Sequence, residues 1–414
     1  MEIERLSRLP QSGCDVHSQL YSFSFNLNPN WSKELAEQAE ILQYIEETVD
    51  KFNLRSHINT SVECAGATWD TATAQWRVEL RDLKTGITFT RRSTVFVGAV
   101  GGISFPRDVH FEGMEDFRGP MFHTARWRHD VDYAGKRVAV IGNGCSAVQA
   151  IPSLAKSAAS VKHGTTSAQT VTLAPFEKVT FRYLPLLMRL RRWNIFWAID
   201  RQSYAYRGTD EGIKQRLKEE QHGREYVYSK APQKYHNILV PDFELGCKRQ
   251  IADPDYLESL HRANVELIPK GLQRITADGI VSTSGRVDEC DIIVLATGFK
   301  VSQFLTPMHI VGADGNSLDQ QWREYRGAQA YLGTFVHNFP NLAILFGPNT
   351  FPANNSALYA CETQVAYAAK ALFEPLLDGR ASVIEVKEAV ENRTTNEVQQ
   401  RLRGSVFSGN CTNW

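Results

Sequence analysis

The chain has 414 residues, of which 43% are hydrophobic and 22% are charged, a composition typical of a folded globular protein. Its length exceeds the roughly 250–300 residues at which a single hydrophobic core stops growing, so two or three lobes are expected. Lysine plus arginine and aspartate plus glutamate both number 46, and this balance creates no overall field that would attract nucleic acid or anionic lipid.

The charged N-terminal residues 1–13 lack the apolar run of a signal peptide, so a cytoplasmic protein is expected. The most apolar stretch begins at Tyr183 but contains Arg189, Arg191 and Arg192, and it is shorter than the roughly 20 apolar residues that a membrane span needs. The seven cysteines form no CxxC pair, so we expect free thiols and no metal site.

The first hundred residues predict one helix and a small sheet. Residues 31–52 have apolar side chains at helical spacing and predict an amphipathic helix. Residues 57–69, 75–83 and 87–98 alternate apolar and polar side chains between turn residues, which predicts an antiparallel meander. The apolar run that ends this region breaks into glycines and Pro106, as expected for a buried strand followed by a linker.

The rest of the chain alternates strands and helices. A strand at 137–141 leads through a glycine loop into a helix that extends to about residue 158, and residues 171–174 predict the next strand after a polar stretch. Residues 183–246 have helical spacing in places and are interpreted as a helical insertion. Further elements are predicted as strands at 265–268, 280–282, 291–296 and within LAILFGP, and as a helix at about 358–377. This order predicts an α/β fold.

A dinucleotide site is indicated where the strand RVAVI runs directly into the glycine loop. The first glycine permits a tight turn, the second lets the backbone approach a pyrophosphate, and an alanine allows close packing of the helix whose positive end faces the phosphates. A purely structural turn is the alternative. At the end of the next strand an acid stands beside a base at residues 175–178, so the sequence leaves NAD and NADP open there. The expected cofactor-binding residues are Gly142, Asn143, Gly144, Cys145, Ser146, Ala147, Val148 and Gln149.

Four further motifs resemble those of class B flavin monooxygenases of the Baeyer–Villiger type. FRGPMFHTARW fits the family pattern F-x-G-x-x-x-H-x-x-x-W just before the glycine loop, and DIIVLATGF resembles the strand through which these proteins re-enter the FAD domain. LGCKRQ and SGCDVHSQLYSFSF resemble segments that carry a Lys-Arg pair and an active-site aspartate. The residues that match the fingerprint, and that are implied to have a gating role, are Phe117, Gly119, His123 and Trp127.

The resemblance implies two Rossmann-like dinucleotide-binding domains and the cofactors FAD and NADP. The implied parts are a partial FAD-binding domain with the meander (1–107), an NADP-binding domain (108–178 and 247–295), a helical insertion (179–246) and the C-terminal part of the FAD-binding domain (296–414). Only fourteen residues precede Asp15, fewer than a strand, a glycine turn and a helix require, so the FAD domain is expected to be incomplete and to lack its glycine loop.

The resemblance also implies roles for individual residues. In the family NADPH reduces FAD, the reduced flavin reacts with O2, and a ketone becomes an ester or a lactone. Arg249 is implied to stabilise the anionic oxygen species, and Asp15 is implied to orient Arg249. Lys248 is implied to contact the ribose phosphate of NADP. Tyr21 and Val62 fall where the family contacts FAD. Outside this shared pattern, a Lys-Arg pair is usually a solvated surface and an aspartate after a cysteine is usually a turn or cap residue.

Three functions stay open on the sequence alone. The first is Baeyer–Villiger oxidation of a polyketide-derived ketone in a fungal secondary-metabolite (mycotoxin) pathway. The second is oxidation of a heteroatom by a related flavin monooxygenase. The third is a truncated NADP-binding pseudoenzyme that lacks FAD. The sequence does not name the substrate and gives no information on the oligomeric state.

Overall fold

The computed structural model describes residues 12–163, 181, 183–251, 253, 255–325, 327–352 and 355–409. Its first elements are α1 (Gln38–Lys51), β1 (Val62–Asp70), β2 (Gln75–Asp82), β3 (Thr88–Ser93) and β4 (Phe96–Gly98). The predicted meander is present, because β2 pairs in antiparallel register with both β1 and β3. Alternation along the strands places Trp69, Trp76 and Val78 in the buried layer.

Two details of this region differ from the sequence-based expectation. The helix begins at Gln38 because the residues before it run beside the N-terminal segment, where Cys14 donates its backbone N–H to Ala36 and Gln38 donates to Ser12. β4 leaves the meander and pairs in parallel with a strand from the C-terminal part of the chain. A pairing between such distant segments leaves no local sequence signal.

The middle of the chain supplies a parallel sheet and the helices around it. Its elements are β5 (Met121–His123), β6 (Arg137–Ile141), α2 (Cys145–Leu154), β7 (Ser160–His163), α3 (Pro185–Gln202), α4 (Asp210–Lys230), α5 (His236–Leu239), α6 (Tyr256–Ser259), β8 (Val265–Leu267), β9 (Leu272–Thr276), β10 (Gly279–Ser282), β11 (Val287–Glu289) and β12 (Ile292–Leu295). Five strands form one parallel sheet in the order β5-β12-β6-β7-β8. β9, β10 and β11 form a separate antiparallel sheet.

The strand that follows α2 lies earlier than the sequence predicts. It is β7, which begins at Ser160, whereas the predicted strand at 171–174 and the cofactor-discriminating position at 175–178 lie outside the described residues. The segment looks too polar for a central strand because it contains Lys162. In the folded chain, however, Lys162 forms an ion pair with the buried Asp288 of β11. A buried charge of this kind is tolerated because it is paired.

The last elements of the chain include strands that pair with strands of the first hundred residues. They are β13 (His309–Val311), α7 (Leu318–Glu324), β14 (Leu342–Ile344), α8 (Ala357–Ala368), α9 (Glu374–Leu377) and α10 (Glu388–Leu402), with a π-helical turn between α8 and α9. β13 extends the meander in parallel to β1, and β14 is the partner of β4. One core therefore surrounds the five-stranded sheet, while another joins the meander to β13, α7 and β14.

Cys247 takes part in a disulfide bond, so the expectation of free thiols is wrong at this position. Cys14, Cys64, Cys145, Cys290 and Cys361 are free. Among the helices that the structure describes, none is both long enough and apolar enough to cross a bilayer.

Candidate active site

The centre of the candidate site is an ion pair between residues from opposite halves of the chain. Arg249 Nε lies 2.7 Å from Asp15 Oδ2, and Arg249 Nη2 lies 2.9 Å from Asp15 Oδ1. The side chains are only 15% and 23% exposed, respectively. The expected contact between these two residues is therefore present, with the two parallel hydrogen bonds that fix the plane of a guanidinium.

The surroundings of Arg249 preserve its charge. Burial alone would lower the pKa of this guanidinium, but the adjacent Asp15 carboxylate outweighs burial and raises the pKa above its ordinary value. The guanidinium carbon lies 5.2 Å from the centre of the Phe351 ring, within the range of a cation–π contact. Arg249 is thus a permanent cation in a place from which most water is excluded.

The segment that carries Asp15 is held from two sides. The Nε2 of Gln149, on α2, donates to the carbonyl of Gly13 at 3.2 Å. On the other side, Nη1 of Arg192 on α3 donates to the carbonyls of Gln19 and Ser22 at 3.1 and 2.5 Å. Burial lowers the pKa of Arg192, although the nearby Glu362 opposes this shift. The helical insertion and the glycine-loop helix therefore both position the carboxylate that orients Arg249.

A cavity of about 350 Å³ opens beside Arg249. It lies beyond the carboxyl ends of the parallel pair β4 and β14, where ligands of open α/β sheets usually bind. Its walls are mainly apolar, and Lys248 and Arg249 are the charged residues among them. The lining residues include Gly102, Ile103, Tyr206, Val301, Phe304, Phe346, Phe351 and Phe407. A larger and more open depression of about 550 Å³ is lined by Glu112, Arg118 and Arg274 and contains none of the predicted site residues.

The glycine loop has the geometry that the sequence predicts. Gly142 has φ +126°, and a Cβ at this position would lie 2.1 Å from the carbonyl oxygen of Ala296. Ala147 is fully buried against the sheet. A Cβ at Gly144 would meet no atom within 4 Å, so the loop is open on that side.

The residues around this loop offer hydrogen-bonding groups that suit a dinucleotide. α2 begins at Cys145 without a side-chain cap. The backbone N–H groups of Ala147 and Val148 donate to the carbonyl of Gly144, so those of Cys145 and Ser146 are the ones that the helix start offers to a ligand. The hydroxyl of Thr297, just beyond the carboxyl end of β12, is buried and has no hydrogen-bond partner among the described residues. Both features provide hydrogen-bonding groups for a ligand with phosphates and sugar hydroxyls.

The thiol of Cys145 and the phenol of Tyr21 lie close to the ion pair. Burial, followed by the charge of Asp15, raises the pKa of Cys145 to about 11, and Arg249 opposes this shift. Burial also raises the pKa of Tyr21 to about 12, with further contributions from Cys14 and Asp15. Both side chains are therefore neutral at neutral pH, and they add no charge that would compete with Asp15 for Arg249.

Two other predicted cofactor residues occupy different surroundings. Lys248 is exposed, lines the cavity, and lies 4.9 Å from the centre of the Phe243 ring. Val62 begins β1, where it pairs with Asp82, and it does not line the cavity. The structure thus brings Asp15, Arg249 and Lys248 together near one cavity and places Val62 in the meander.

Three of the four fingerprint residues have packing roles. Phe117 packs against the core between the parallel sheet and β9–β11, and Trp127 lies in the core around α2. A Cβ at Gly119 would lie 2.2 Å from the carbonyl oxygen of Asp291, so the close approach of these two segments requires glycine. These contacts fix the register of β5 beside β12.

His123 is the fingerprint residue at the carboxyl end of β5. Its Nδ1 accepts a hydrogen bond from the backbone N–H of Ala125 at 3.1 Å, which assigns the ring proton to Nε2. Burial lowers the pKa of His123, and the backbone of Gly298 opposes this shift. The ring also makes an edge contact with Phe299, with centroids 5.5 Å apart. His123 is therefore a neutral imidazole that connects the fingerprint to Gly298 and Phe299, just beyond the carboxyl end of β12.

Some site residues were missed by sequence reasoning. Arg192 lies in a run of arginines that resembles a solvated surface, and its carbonyl partners cannot be inferred from spacing. The aromatic cavity residues Phe346 and Phe351 belong to a loop rich in Gly, Pro and Asn that follows β14. That composition directly after a buried strand was an available signal, since ligand-binding loops follow the carboxyl ends of parallel strands.

Comparison with known proteins places this chain in a family. The flavin-binding monooxygenase-like family model matches residues 18–311. A Baeyer–Villiger monooxygenase of Pseudomonas aeruginosa is 34% identical over 99% of this chain and 77% of its own length. An FAD-binding monooxygenase of Aspergillus niger is 32% identical over 98% of this chain and 69% of its own length.

Solved structures agree with this placement. An oxidized steroid monooxygenase bound to NADP is 27% identical and superposes with a TM-score of 0.82 over 99% of this chain and 86% of that chain. Cyclohexanone monooxygenase in its closed form, at 24% identity and a TM-score of 0.82 over 98% of this chain and 83% of that chain, shows the same fold. The expected α/β fold is confirmed. The chain belongs to the flavin-binding monooxygenase-like family and is a flavin-dependent monooxygenase of the Baeyer–Villiger type.

Proposed function

We propose that this protein uses FAD, NADPH and O2 to insert one oxygen atom next to the carbonyl of a ketone, which gives an ester or a lactone. The observation that carries the proposal is the guanidinium of Arg249, which lines an apolar cavity while the two hydrogen bonds that it donates to Asp15 fix its plane. Relatives with Baeyer–Villiger activity in their names support the same reaction.

Both cofactors have candidate positions in this chain. The open glycine loop at Gly142 and Gly144, the start of α2 and Lys248 would hold NADP, and the cavity beside Arg249 would receive the flavin ring of FAD and the ketone. When bound, FAD supplies the reaction with O2 after it has taken a hydride from NADPH. The protein contributes binding, orientation and a suitable electrostatic environment.

The main task of Arg249 is to stabilise negative charge that develops on oxygen. A guanidinium is suited to this task because it stays charged and presents five N–H donors in fixed directions. Its contact with Asp15 uses Nε and Nη2, which leaves Nη1 outside that contact. Fixed donors act strongly in a site with little water, and the aromatic walls of the cavity restrict water.

Lys248 is the proposed contact for the ribose phosphate of NADP. It forms no ion pair with a carboxylate of the described residues, so its charge is available to a phosphate. His123, a neutral ring at the end of β5 that contacts Phe299, is proposed to couple cofactor binding to movement of the domains. Tyr21, close to Asp15, and Val62 are proposed to contact FAD.

The walls of the cavity favour a planar substrate. Tyr206, Phe304, Phe346, Phe351 and Phe407 offer ring faces and edges against which an aromatic ketone can pack. We therefore extend the proposal to a polyketide-derived aromatic ketone of a fungal secondary-metabolite (mycotoxin) pathway. FAD-binding monooxygenases of Aspergillus niger and Aspergillus terreus are among the relatives, which supports a fungal context.

Product analysis tests the proposal. Purified protein is loaded with FAD and incubated with NADPH, O2 and either an aromatic ketone or a thioether of similar size. The expected result is flavin absorption in the visible range and an ester from the ketone that contains one oxygen atom from O2. An enzyme that converts only the thioether would be a heteroatom oxidase. A protein that takes up no FAD at saturating concentration would contradict the proposal altogether.

A further inference from the structure

The cavity beside Arg249 contains a second buried polar group, the phenol of Tyr206. This side chain is 8% exposed and lines the cavity. Its hydroxyl has no hydrogen-bond partner among the described residues, and it is not sealed inside the protein, because the side chain borders the cavity. A buried polar group without a partner costs free energy. We therefore expect a ligand in the cavity to supply the partner.

The backbone holds Tyr206 in place at the end of the 3₁₀ turn Ser203–Tyr206, which follows α3. Nη1 of the buried Arg216 donates to the backbone carbonyl of Ala205 at 2.9 Å and to that of Arg207 at 3.5 Å. One guanidinium thus fixes the residues on both sides of the tyrosine. A side chain on a turn that is fixed in this way presents its polar group in a defined place, as recognition of a ligand requires.

The ring of Tyr206 is also fixed relative to Arg249. A Cβ at Gly246 would lie 2.2 Å from Cδ1 of this ring, and Gly246 has φ +91°, so only glycine lets the chain that leads to Arg249 pass over the phenol. The centre of the Phe407 ring lies 5.8 Å from that of the tyrosine ring. The hydroxyl and the guanidinium are therefore two polar groups at a fixed spacing in one apolar cavity.

The two groups differ in what they can recognise. Arg249 is a permanent cation and, in the reaction proposed above, meets the oxygen on which negative charge develops. Burial raises the pKa of Tyr206, although Arg249 opposes this shift, so the phenol keeps its proton at neutral pH. A neutral hydroxyl can donate one hydrogen bond and accept another, which suits an uncharged oxygen substituent. A purely hydrocarbon ligand would displace water from this hydroxyl without replacing its hydrogen bond.

The position of Tyr206 in the chain favours the substrate as its partner over a dinucleotide. The glycine loop at Gly142 and Gly144 follows a strand of the parallel sheet. Tyr206 instead belongs to the segment between β7 and β8, whose described residues form helices and turns. The phenol therefore enters the cavity from a part of the chain that is separate from the dinucleotide-binding sheet.

We propose that Tyr206 selects ketones that carry a second oxygen substituent, such as a hydroxyl group, which forms a hydrogen bond with its phenol while the reacting carbonyl lies at Arg249. This inference rests on the function proposed above and narrows the substrate class from aromatic ketones to oxygenated aromatic ketones. A site that hydrogen-bonds a substrate oxygen discriminates against the analogue that lacks it, because the polar group of the protein is then left unpaired.

The test compares hydroxytetralones with methyltetralones, in which the aromatic ring of α-tetralone carries a hydroxyl or a methyl group at the same position. The two substituents are similar in size, so each pair isolates the hydrogen bond. The FAD-loaded wild type should prefer at least one hydroxytetralone over its methyl counterpart by about 10- to 100-fold in kcat/KM for lactone formation. In Tyr206→Phe this ratio should fall to within about threefold of unity, because only the hydroxyl is lost.

The matched control is Tyr204→Phe, the same change on the same turn at a side chain that is 47% exposed and does not line the cavity. This variant should keep the wild-type preference, and thermal unfolding verifies that both variants are folded. A preference that persists in Tyr206→Phe would overturn the inference. Equal losses for the hydroxyl and methyl compounds would also overturn it, because they would assign the phenol to a cofactor.

Calorimetry distinguishes a failure of this inference from a failure of the proposed function. The Kd of each tetralone is measured with the FAD-loaded protein in the absence of NADPH, so that no reaction takes place. Tighter binding of a hydroxytetralone that is lost in Tyr206→Phe supports the inference, even if no tetralone gives a lactone and the proposed function fails. Lactone formation from both members of every pair, without any preference of the wild type, would overturn the inference alone.

Discussion

The Asp15–Arg249 pair and the His337–Glu391 pair both join residues that are far apart in the sequence, yet their surroundings differ. Arg249 lines a cavity, and its carboxylate partner keeps 23% of its side chain exposed. His337 and Glu391 are 6% and 0% exposed, and neither borders that cavity. In the second pair, Glu391 Oε2 accepts from the backbone N–H of His337 at 2.7 Å and from its Nδ1 at 3.0 Å.

Burial alone therefore does not identify a reactive pair. The His337–Glu391 pair connects α10 to the loop before β14. Glu391 Oε2 accepts both hydrogen bonds from His337, and Glu391 Oε1 is buried without a partner among the described residues. The guanidinium of Arg249 instead carries N–H donors beyond those that bind Asp15. Arg249 also lines a cavity in which a ligand can accept hydrogen bonds from these donors. The first pair should therefore control the reaction, and the second should control stability.

The largest expected effect concerns stability. Glu391→Leu leaves His337 buried without its acceptor, so the free energy of unfolding should fall by about 3–5 kcal/mol. Denaturant unfolding measures this change, while the kcat of the remaining folded enzyme should stay close to that of the wild type. Glu397→Leu, at an exposed position of the same helix, is the matched control and should change the free energy by less than about 0.5 kcal/mol.

Asp15→Asn should affect the reaction more than the stability. The amide keeps the shape of the side chain but loses the charge that orients Arg249, and hydrogen bonds to charged groups contribute about 1.5–3 kcal/mol. The kcat for ester formation should therefore fall by roughly 10- to 100-fold. Steady-state assays of ester and of NADPH consumption check this expectation. A variant that forms ester at the wild-type rate would show that Asp15 does not position the guanidinium.

The stability of the protein should depend on pH through His337. The hydrogen bond to Glu391 raises the pKa of His337 above its ordinary value of 6.5, although burial opposes the shift. A raised histidine pKa stabilises the fold fully below the unfolded value, and the contribution is lost as pH rises through the folded value. The free energy of unfolding should thus decline as the pH rises above 6.5. Glu391→Gln should flatten this part of the profile, and an unchanged slope would exclude His337 as its source.

The smallest effect is expected at Lys248. Because this side chain is exposed, solvent screens its contact with a phosphate, and Lys248→Ala should raise the KM for NADPH only about three- to tenfold. The KM for NADH, which lacks the ribose phosphate, should not change. Parallel titrations with the two nucleotides measure the difference. Equal increases for both would assign Lys248 a general role instead of a phosphate contact.

The predictable parts of the fold are those whose signal is local. β6 and β12 read as continuous apolar runs because both faces of a central parallel strand are buried. The glycine loop was predictable because only glycine fits at position 142. Its φ is +126°, and a Cβ there would lie 2.1 Å from the carbonyl oxygen of Ala296. β7 was misplaced because Lys162 finds its partner on β11, which is a tertiary contact.

The site was predictable only in part. Asp15, Lys248 and Arg249 followed from their resemblance to family motifs, and the contact between Asp15 and Arg249 is present in the structure. The aromatic residues that line the cavity lie on loops without periodicity. The pairing of β4 with β14 brings these loops together from two ends of the chain. No pattern within either segment encodes that pairing, so Phe346 and Phe351 could not be placed beside Arg249 from the sequence.

The central claim is that the guanidinium of Arg249 stabilises the charged oxygen species during ketone oxidation. The most direct measurement compares ester formation from an aromatic ketone by the FAD-loaded wild type and by Arg249→Ala, with NADPH binding determined in parallel. The account predicts that ester formation falls by about 10²–10³-fold, the range expected when one oxyanion donor is removed, while NADPH still binds. Arg128→Ala, at an exposed arginine beside Asp130, serves as the control and should leave both quantities unchanged. An undiminished ester yield from Arg249→Ala would contradict the account.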